Sequence, residues 1–254
     1  MTTNIESTRN LKRVFSALGI AVLFTLAANV RSTAAQYNPE LKLWYKKAAA
    51  AWTDALPIGN GRLGGMVFGD VSNERIQLND DTLWSGAPHE WNNPNAKNAL
   101  KLVRKLAFAG RYAEADLASK QMQGPYTQAY MPMGDLRMKF DMPGAVSEYT
   151  RDLDLNTAIA TTKFKLDGNQ IVREVFSSHP DQAIVVRITS AKPGSISFTM
   201  SLDSLMHFRV SSKSGTITLN GKVPKNADPH YAGTKEPLTF DDEKGEGMNF
   251  IVLA

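Results

Sequence analysis

Because the 254 residues include no cysteine and no G-x-S-x-G motif, the possible nucleophiles are Ser, Asp and Glu, and carboxylates are plentiful. The lack of cysteine excludes thiol nucleophiles, disulfide scaffolds and Cys-ligated metal centres. The four histidines show no metal-ligand spacing, so we expect neither a metal nor a cofactor. Acid–base hydrolysis needs two suitably placed groups, and no pattern in the sequence pairs them. The carboxylates that are candidates for such a pair are Asp80, Asp81, Glu90, Asp135, Asp203, Asp241, Asp242 and Glu243.

Tryptophan is the other chemically suggestive residue type. All four tryptophans, Trp44, Trp52, Trp84 and Trp91, precede residue 92. Sugars present a CH face that stacks on indole, so these residues could form a carbohydrate site together with nearby Asn, Asp and His. A tryptophan is more often a core or interface residue, and we favour that interpretation for any one of the four.

The segment Gly59-Asn60-Gly61-Arg62-Leu63-Gly64 fits the G-x-G-x-x-G pattern of dinucleotide-binding proteins. That pattern must follow an apolar strand and open a helix. Here the preceding residues 53–57 include Pro57, and the following residues 66–68 are β-like. We therefore predict that the glycines form a tight loop on a β scaffold.

The first 35 residues are typical of a bacterial export signal. Arg9, Lys12 and Arg13 precede an uncharged run, and small side chains favour cleavage after Ala35. The most apolar part, residues 17–28, is shorter than the roughly 20 residues of a membrane span. We predict a signal peptide over residues 1–35, a periplasmic or secreted location, and no membrane attachment after cleavage. An uncleaved amino-terminal anchor is the alternative.

The leader also accounts for most of the positive charge. It carries Arg9, Lys12, Arg13 and Arg31 against Glu6, so its removal lowers the net charge from +4 to +1. Nucleic-acid binding depends on neutralising phosphates with a concentrated basic surface. We therefore expect no nucleic-acid partner.

Residues 36–254 are dominated by short strand-like segments. In residues 196–202, apolar and polar side chains alternate strictly, as in a strand that is buried on one face. Further predicted strands are residues 171–176, 183–189, 216–219 and 249–253, separated by turn signals at 167–169, 192–194, 213–215 and 220–221. Such spacing predicts a mainly β fold, a large antiparallel β-sandwich.

Residues 95–122 interrupt this pattern with helical spacing. Gly110 is predicted to split them into two helices. Lys97, Lys101 and Lys105 recur every four residues, and we interpret this stripe as the solvated face of an amphipathic helix. The fold class is thus a β-sandwich with a short helical insertion.

Several stretches taken together resemble the amino-terminal domain of glycoside hydrolase family 95, a family of inverting α-L-fucosidases with some α-L-galactosidases. The likeness covers essentially residues 40–254. Its stretches are residues 52–69 (WTDALPIGNGRLGGMVFG), 74–86 (ERIQLNDDTLWSG), the helical segment 97–122, 132–136 (PMGDL) and 173–181 (REVFSSHPD). One departure is Asp80, where the family leads us to expect Glu; both residues keep the carboxylate.

The resemblance implies that the catalytic groups lie in an (α/α)6 barrel outside this chain. We therefore assign no catalytic residue and expect a truncated domain over residues 36–254 that is inactive alone. The fucosylated glycan substrate would be bound through the missing barrel. Asn79, Asp80, Trp84 and His89 are candidate substrate-binding residues on loops at the barrel's rim, with interdomain contacts as their other role. The alternative function is a stand-alone carbohydrate-binding module.

Overall fold

The computed structural model describes residues 41–242 and 245–254. The predicted signal peptide, residues 1–35, and the candidate Glu243 lie outside these ranges. In the described ranges no helix is both long and apolar enough to cross a membrane.

The first five-stranded sheet, sheet A, is antiparallel throughout. Its strands, in spatial order, are β1 (Lys42–Tyr45), β6 (Val146–Asp154), β7 (Ile159–Leu166), β8 (Asn169–Ser178) and β9 (Ala183–Ser190). A two-residue turn of Asp167 and Gly168, both at positive φ, joins β7 to β8. Turns of this hand match the twist of a hairpin, which explains the Asp-Gly signal in the sequence.

The second five-stranded sheet, sheet B, is also antiparallel. Its strands, in spatial order, are β10 (Phe198–Asp203), β5 (Gly134–Phe140), β4 (Asn73–Asp80), β3 (Leu63–Val67) and β2 (Leu56–Gly59). Sheets A and B pack face to face, with β2 and β3 against strands of sheet A. The prediction of a β-sandwich is therefore confirmed.

Two smaller antiparallel sheets follow in the described residues. Sheet C contains β11 (His207–Lys213), β12 (Thr216–Lys222) and β15 (Asn249–Leu253), and a two-stranded ribbon pairs β13 (Asn226–Ala227) with β14 (Leu238–Thr239). Sheet C contacts β10 at the edge of sheet B. Its Leu219 and Phe250 belong to the same apolar core as the sandwich.

The predicted insertion forms two helices, α1 (Ala96–Phe108) and α2 (Tyr112–Ser119), which confirms the sequence analysis. Gly110 lies between them at a φ of 72°. This left-handed conformation commonly ends a helix, and glycine adopts it most readily. Lys97, Lys101 and Lys105 are exposed, as expected for a solvated face. Single turns of 3-10 helix occur at Trp52–Asp54, Lys120–Met122 and His230–Ala232.

The two-residue period of the strands places charged side chains between sheets A and B. Glu74 shares the inward face of β4 with Ile76, and Arg173 shares the inward face of β8 with Ile171 and Val175. Both charged side chains are almost fully buried and form an ion pair. Burial of a single charge is costly, so each requires the other.

Backbone groups also bond to this buried pair. The Glu74 Oε1 atom accepts hydrogen bonds from the backbone N–H groups of Gly69 (2.8 Å) and Arg75 (3.0 Å). Arg173 donates to the carbonyl of Asp70 (2.6 Å). Burial raises the pKa of Glu74, and the positive charge of Arg173 partly offsets that rise. The pair therefore fixes the loop at 69–70 as well as joining the two sheets.

Candidate functional site

Asn79 and Asp80 end strand β4, and the Asp80 carboxylate organises the turn that follows. Asp80 Oδ1 accepts hydrogen bonds from the backbone N–H (3.0 Å) and the hydroxyl (2.6 Å) of Thr82. Asp80 Oδ2 accepts a hydrogen bond from Arg62 (2.8 Å). A short aspartate side chain that bonds to the backbone two residues on stabilises a tight turn. Asp80 is thus a structural anchor at the start of the candidate loop.

The ionisation of Asp80 follows from these contacts. Partial burial by itself raises the pKa of Asp80, but the hydrogen bonds from Thr82 and the charge of Arg62 outweigh it and lower the pKa below its usual value of 3.8. The carboxyl group is therefore ionised near neutral pH. A general acid must hold its proton at the working pH, so this side chain is poorly suited to that role.

Trp84 lies against Tyr130, a residue that the sequence analysis did not single out. Their rings meet edge to face at 5.3 Å between centroids, and their backbones form an isolated β-bridge. The Tyr130 hydroxyl donates to the carbonyl of Asp80 (2.9 Å) and also contacts Oδ1 of Asn79. No sequence pattern links Tyr130 to a strand end some 50 positions earlier. The structure therefore joins three of the four predicted residues through an unpredicted one.

His89, the fourth predicted residue, lies elsewhere. Its ring contacts Trp91 edge to face at 5.0 Å between centroids. In the part of the chain that the structure describes, no hydrogen bond or ring contact joins His89 to Asn79, Asp80 or Trp84. The candidate site therefore centres on Asn79, Trp84 and Tyr130.

The glycine-rich segment 59–64 is a hairpin loop between β2 and β3, which confirms the loop prediction. Asn60 Oδ1 accepts hydrogen bonds from the backbone N–H groups of Arg62 (3.1 Å) and Leu63 (2.8 Å), and Gly61 takes a φ of 96°. The Asn60 amide also donates to the carbonyl of Ser178 at the end of β8 (2.8 Å). The loop thus ties sheet B to sheet A beside Asp80.

None of the four tryptophans is buried, so the core half of our core-or-interface interpretation is wrong, and the interface half stays a prediction. Trp44, Trp52 and Trp84 are 61%, 55% and 44% exposed, and Trp91 is half-buried. The sandwich core is instead filled by aliphatic residues such as Ile76, which is fully buried. Indole rings that are exposed to this extent are available for contacts with other molecules.

A groove of about 430 Å³ lies on the outward side of sheet B next to the candidate site. Gln77, Asn79 and Met66 line it from β4 and β3, while Trp52 and Tyr130 line it from flanking segments. In the described residues, no group of three or more His, Cys, Asp or Glu side chains could hold a metal ion.

The antiparallel sandwich with its helical insertion is the framework that carries the aromatic groove beside β4. Residues 43–250 match the family "Glycosyl hydrolase family 65, N-terminal domain", and the chain belongs to this family.

The chain is also similar to individual proteins that are named as α-fucosidases. The chain is 38% identical over 215 residues to "Alpha-L-fucosidase 2" of Arabidopsis thaliana, which is 81% of this chain and 25% of that protein. It is 32% identical over 143 and 157 residues to proteins called "Probable alpha-fucosidase A" in Aspergillus niger and Aspergillus oryzae, covering 54% and 58% of this chain. The chain spans a quarter or less of the length of these relatives. It is therefore an amino-terminal domain of the α-fucosidase-like glycoside hydrolases, as the resemblance to family 95 predicts.

Proposed function

We propose that this chain is the non-catalytic domain of an exported enzyme that hydrolyses α-L-fucosyl linkages in fucosylated glycans with inversion. The observation that carries the proposal is the 38% identity to "Alpha-L-fucosidase 2" over 81% of the chain. The matched residues are 25% of that relative and 18% and 21% of the two Aspergillus proteins. Their remaining length has room for a separate catalytic domain.

Two carboxylates support a non-catalytic role for this domain: Asp80 at the candidate site and Asp135, which lies opposite Gln77 on the next strand. Asp80 is held ionised by Thr82 and Arg62. Asp135 forms ion pairs with Arg75 (2.8 Å) and Arg137 (2.7 Å). Acid-catalysed cleavage of a glycosidic bond needs a protonated carboxyl group beside the leaving oxygen, together with a second carboxylate that faces the water. Asp80 does not offer such a proton, and Asp135 is engaged by two arginines.

An activity assay tests the proposal. The purified 254-residue chain is expected to release no fucose from an aryl α-L-fucoside or from 2′-fucosyllactose, whereas the full-length enzyme that contains it releases β-L-fucose, as inversion requires. Proton NMR of the fresh product distinguishes the two anomers. Fucose release by the chain at a rate comparable to a full-length relative would contradict the proposal, as would a full-length protein that is inert towards every α-L-fucoside.

Export is tested by the amino terminus of the protein recovered from outside the cytoplasm of a bacterial host. Cleavage after Ala35 gives a chain that begins at Gln36, because signal peptidase requires small residues at its cleavage site. Intact mass and amino-terminal sequencing read this directly. The substitution Ala35→Tyr is expected to block cleavage and serves as the control. A membrane-bound wild-type protein that keeps Met1 would instead support an uncleaved anchor.

A further inference from the structure

The groove on the outward side of sheet B has the composition of a binding site for an uncharged ligand. Among the described residues that line it, none is Asp, Glu, Lys, Arg or His. The charged side chains at neighbouring positions of this face, Asp135 opposite Gln77 and Arg75 on β4, are paired with each other. Its volume of about 430 Å³ lies within the range of small-molecule sites, roughly 300–1,000 Å³.

Its walls combine aromatic surface with amide groups. Trp52 is 55% exposed at the groove, and Tyr130 faces it as a second, smaller aromatic side chain. Gln77 and Asn79 project from alternate positions of β4 on the same face, so two amides lie side by side. Each amide can donate and accept hydrogen bonds, which suits a ligand rich in hydroxyl groups.

The polar side of the groove is held in place before any ligand arrives. Tyr130 is fixed by its ring contact with Trp84 and by its hydrogen bond to the Asp80 carbonyl. The Tyr130 hydroxyl in turn contacts Oδ1 of Asn79. A fixed side chain loses little conformational entropy on binding, so such a wall favours affinity.

Gly64 keeps the groove open beside Asn79. A Cβ atom at this position would lie 3.3 Å from the Asn79 amide nitrogen and 3.6 Å from its Cβ. A larger side chain at position 64 would therefore occupy the space over that amide. The backbone of Gly64 is not at positive φ, so an L-residue can be accommodated there without backbone strain.

We propose that this groove binds an uncharged pyranoside, with an apolar sugar face stacked on Trp52 and hydroxyl groups bonded to Gln77 and Asn79. An indole offers a large rigid apolar surface at low entropic cost, and the amides orient the ligand through directional hydrogen bonds. The choice of fucosides as first ligands rests on the proposed function, whereas the groove's preference for an uncharged sugar does not. Binding and hydrolysis are separate measurements, so one can fail without the other.

The test is titration of the 254-residue chain with methyl α-L-fucopyranoside and 2′-fucosyllactose at millimolar concentrations, followed by tryptophan fluorescence and by calorimetry. Wild type is expected to bind saturably. Trp52→Ala is expected to weaken binding about tenfold, the scale of one lost aromatic contact. Gly64→Leu is expected to weaken it at least as much by filling the groove.

Trp44→Ala is the matched control, because Trp44 is equally exposed but lies on β1 of sheet A and does not line the groove. It is expected to leave the affinity unchanged. Circular dichroism of each variant separates lost binding from lost folding. The inference is overturned if neither glycoside binds to folded wild type, if Trp52→Ala and Gly64→Leu retain wild-type affinity, or if Trp44→Ala abolishes binding.

Discussion

Replacing Glu74 by methionine is expected to lower the free energy of unfolding by about 3–5 kcal/mol, the usual cost of removing one partner of a buried ion pair. The substitution leaves the Arg173 guanidinium buried without its counter-charge. It also removes the acceptor of two backbone N–H groups, those of Gly69 and Arg75. Urea unfolding followed by circular dichroism measures the change.

A double variant separates the charge from the packing. Glu74→Met with Arg173→Met removes both charges and keeps two long apolar side chains between the sheets. Paired apolar replacements of this kind are often neutral or stabilising, although here the two N–H groups stay without an acceptor. The double variant is expected to be more stable than Glu74→Met by about 2 kcal/mol. A double variant that is less stable than the single one would show that the ion pair is not what holds these two strands.

This ion pair gives a physical reason for the stretches that carry the family likeness. Glu74 belongs to the stretch 74–86 and Arg173 to the stretch 173–181, so the pair joins two of them. The neighbouring Arg75 pairs with Asp135 of the stretch 132–136 (2.8 Å). The stretches thus include residues that connect distant strands, and those connections could not be read from the sequence because each partner lies 60 or more positions away.

Local patterns were sufficient for the helices and for several strands, but the turn predicted at 220–221 is wrong, because Asn220 and Gly221 lie inside β12 and pair with both neighbouring strands. The Asp-Gly turn predicted at 167–169 occurs between β7 and β8, and the predicted strand 249–253 has the same bounds as β15. Gly110 separates α1 from α2 as predicted. Turn residues, the alternation of apolar and polar side chains in a strand, and the glycine that ends a helix all act over a few residues. They can therefore be recognised in a single sequence.

The candidate site was only partly predictable for the opposite reason. Asn79 and Asp80 were candidates through the family resemblance, whereas Tyr130 reaches them only through the pairing of its segment with Trp84. The exposure of Trp52 depends on the side of sheet B on which its own 3-10 turn, Trp52–Asp54, lies. Such placements are decided by tertiary packing, which overrides the general tendency of tryptophan to be buried.

Replacing Gly134 by alanine is expected to destabilise the domain by about 2–4 kcal/mol, since overpacking and a strained backbone each cost about 1–3 kcal/mol. Gly134 begins β5 at a φ of 154°, and a Cβ atom there would lie 2.3 Å from the backbone oxygen of Asp203. The obstacle is main chain, so β10 must move away from β5. Both Asp135 and the groove residue Pro132 lie beside this point.

Gly168→Ala distinguishes the two causes. Gly168 also has positive φ, 79°, but a Cβ atom there would meet nothing within 4 Å. Its substitution therefore adds only backbone strain and is expected to cost about 1 kcal/mol. The difference between the two variants, measured by urea unfolding at one pH, isolates the steric conflict between β5 and β10. Equal losses at positions 134 and 168 would mean that β10 shifts at no cost, and that the close contact at Gly134 does not fix the edge of sheet B.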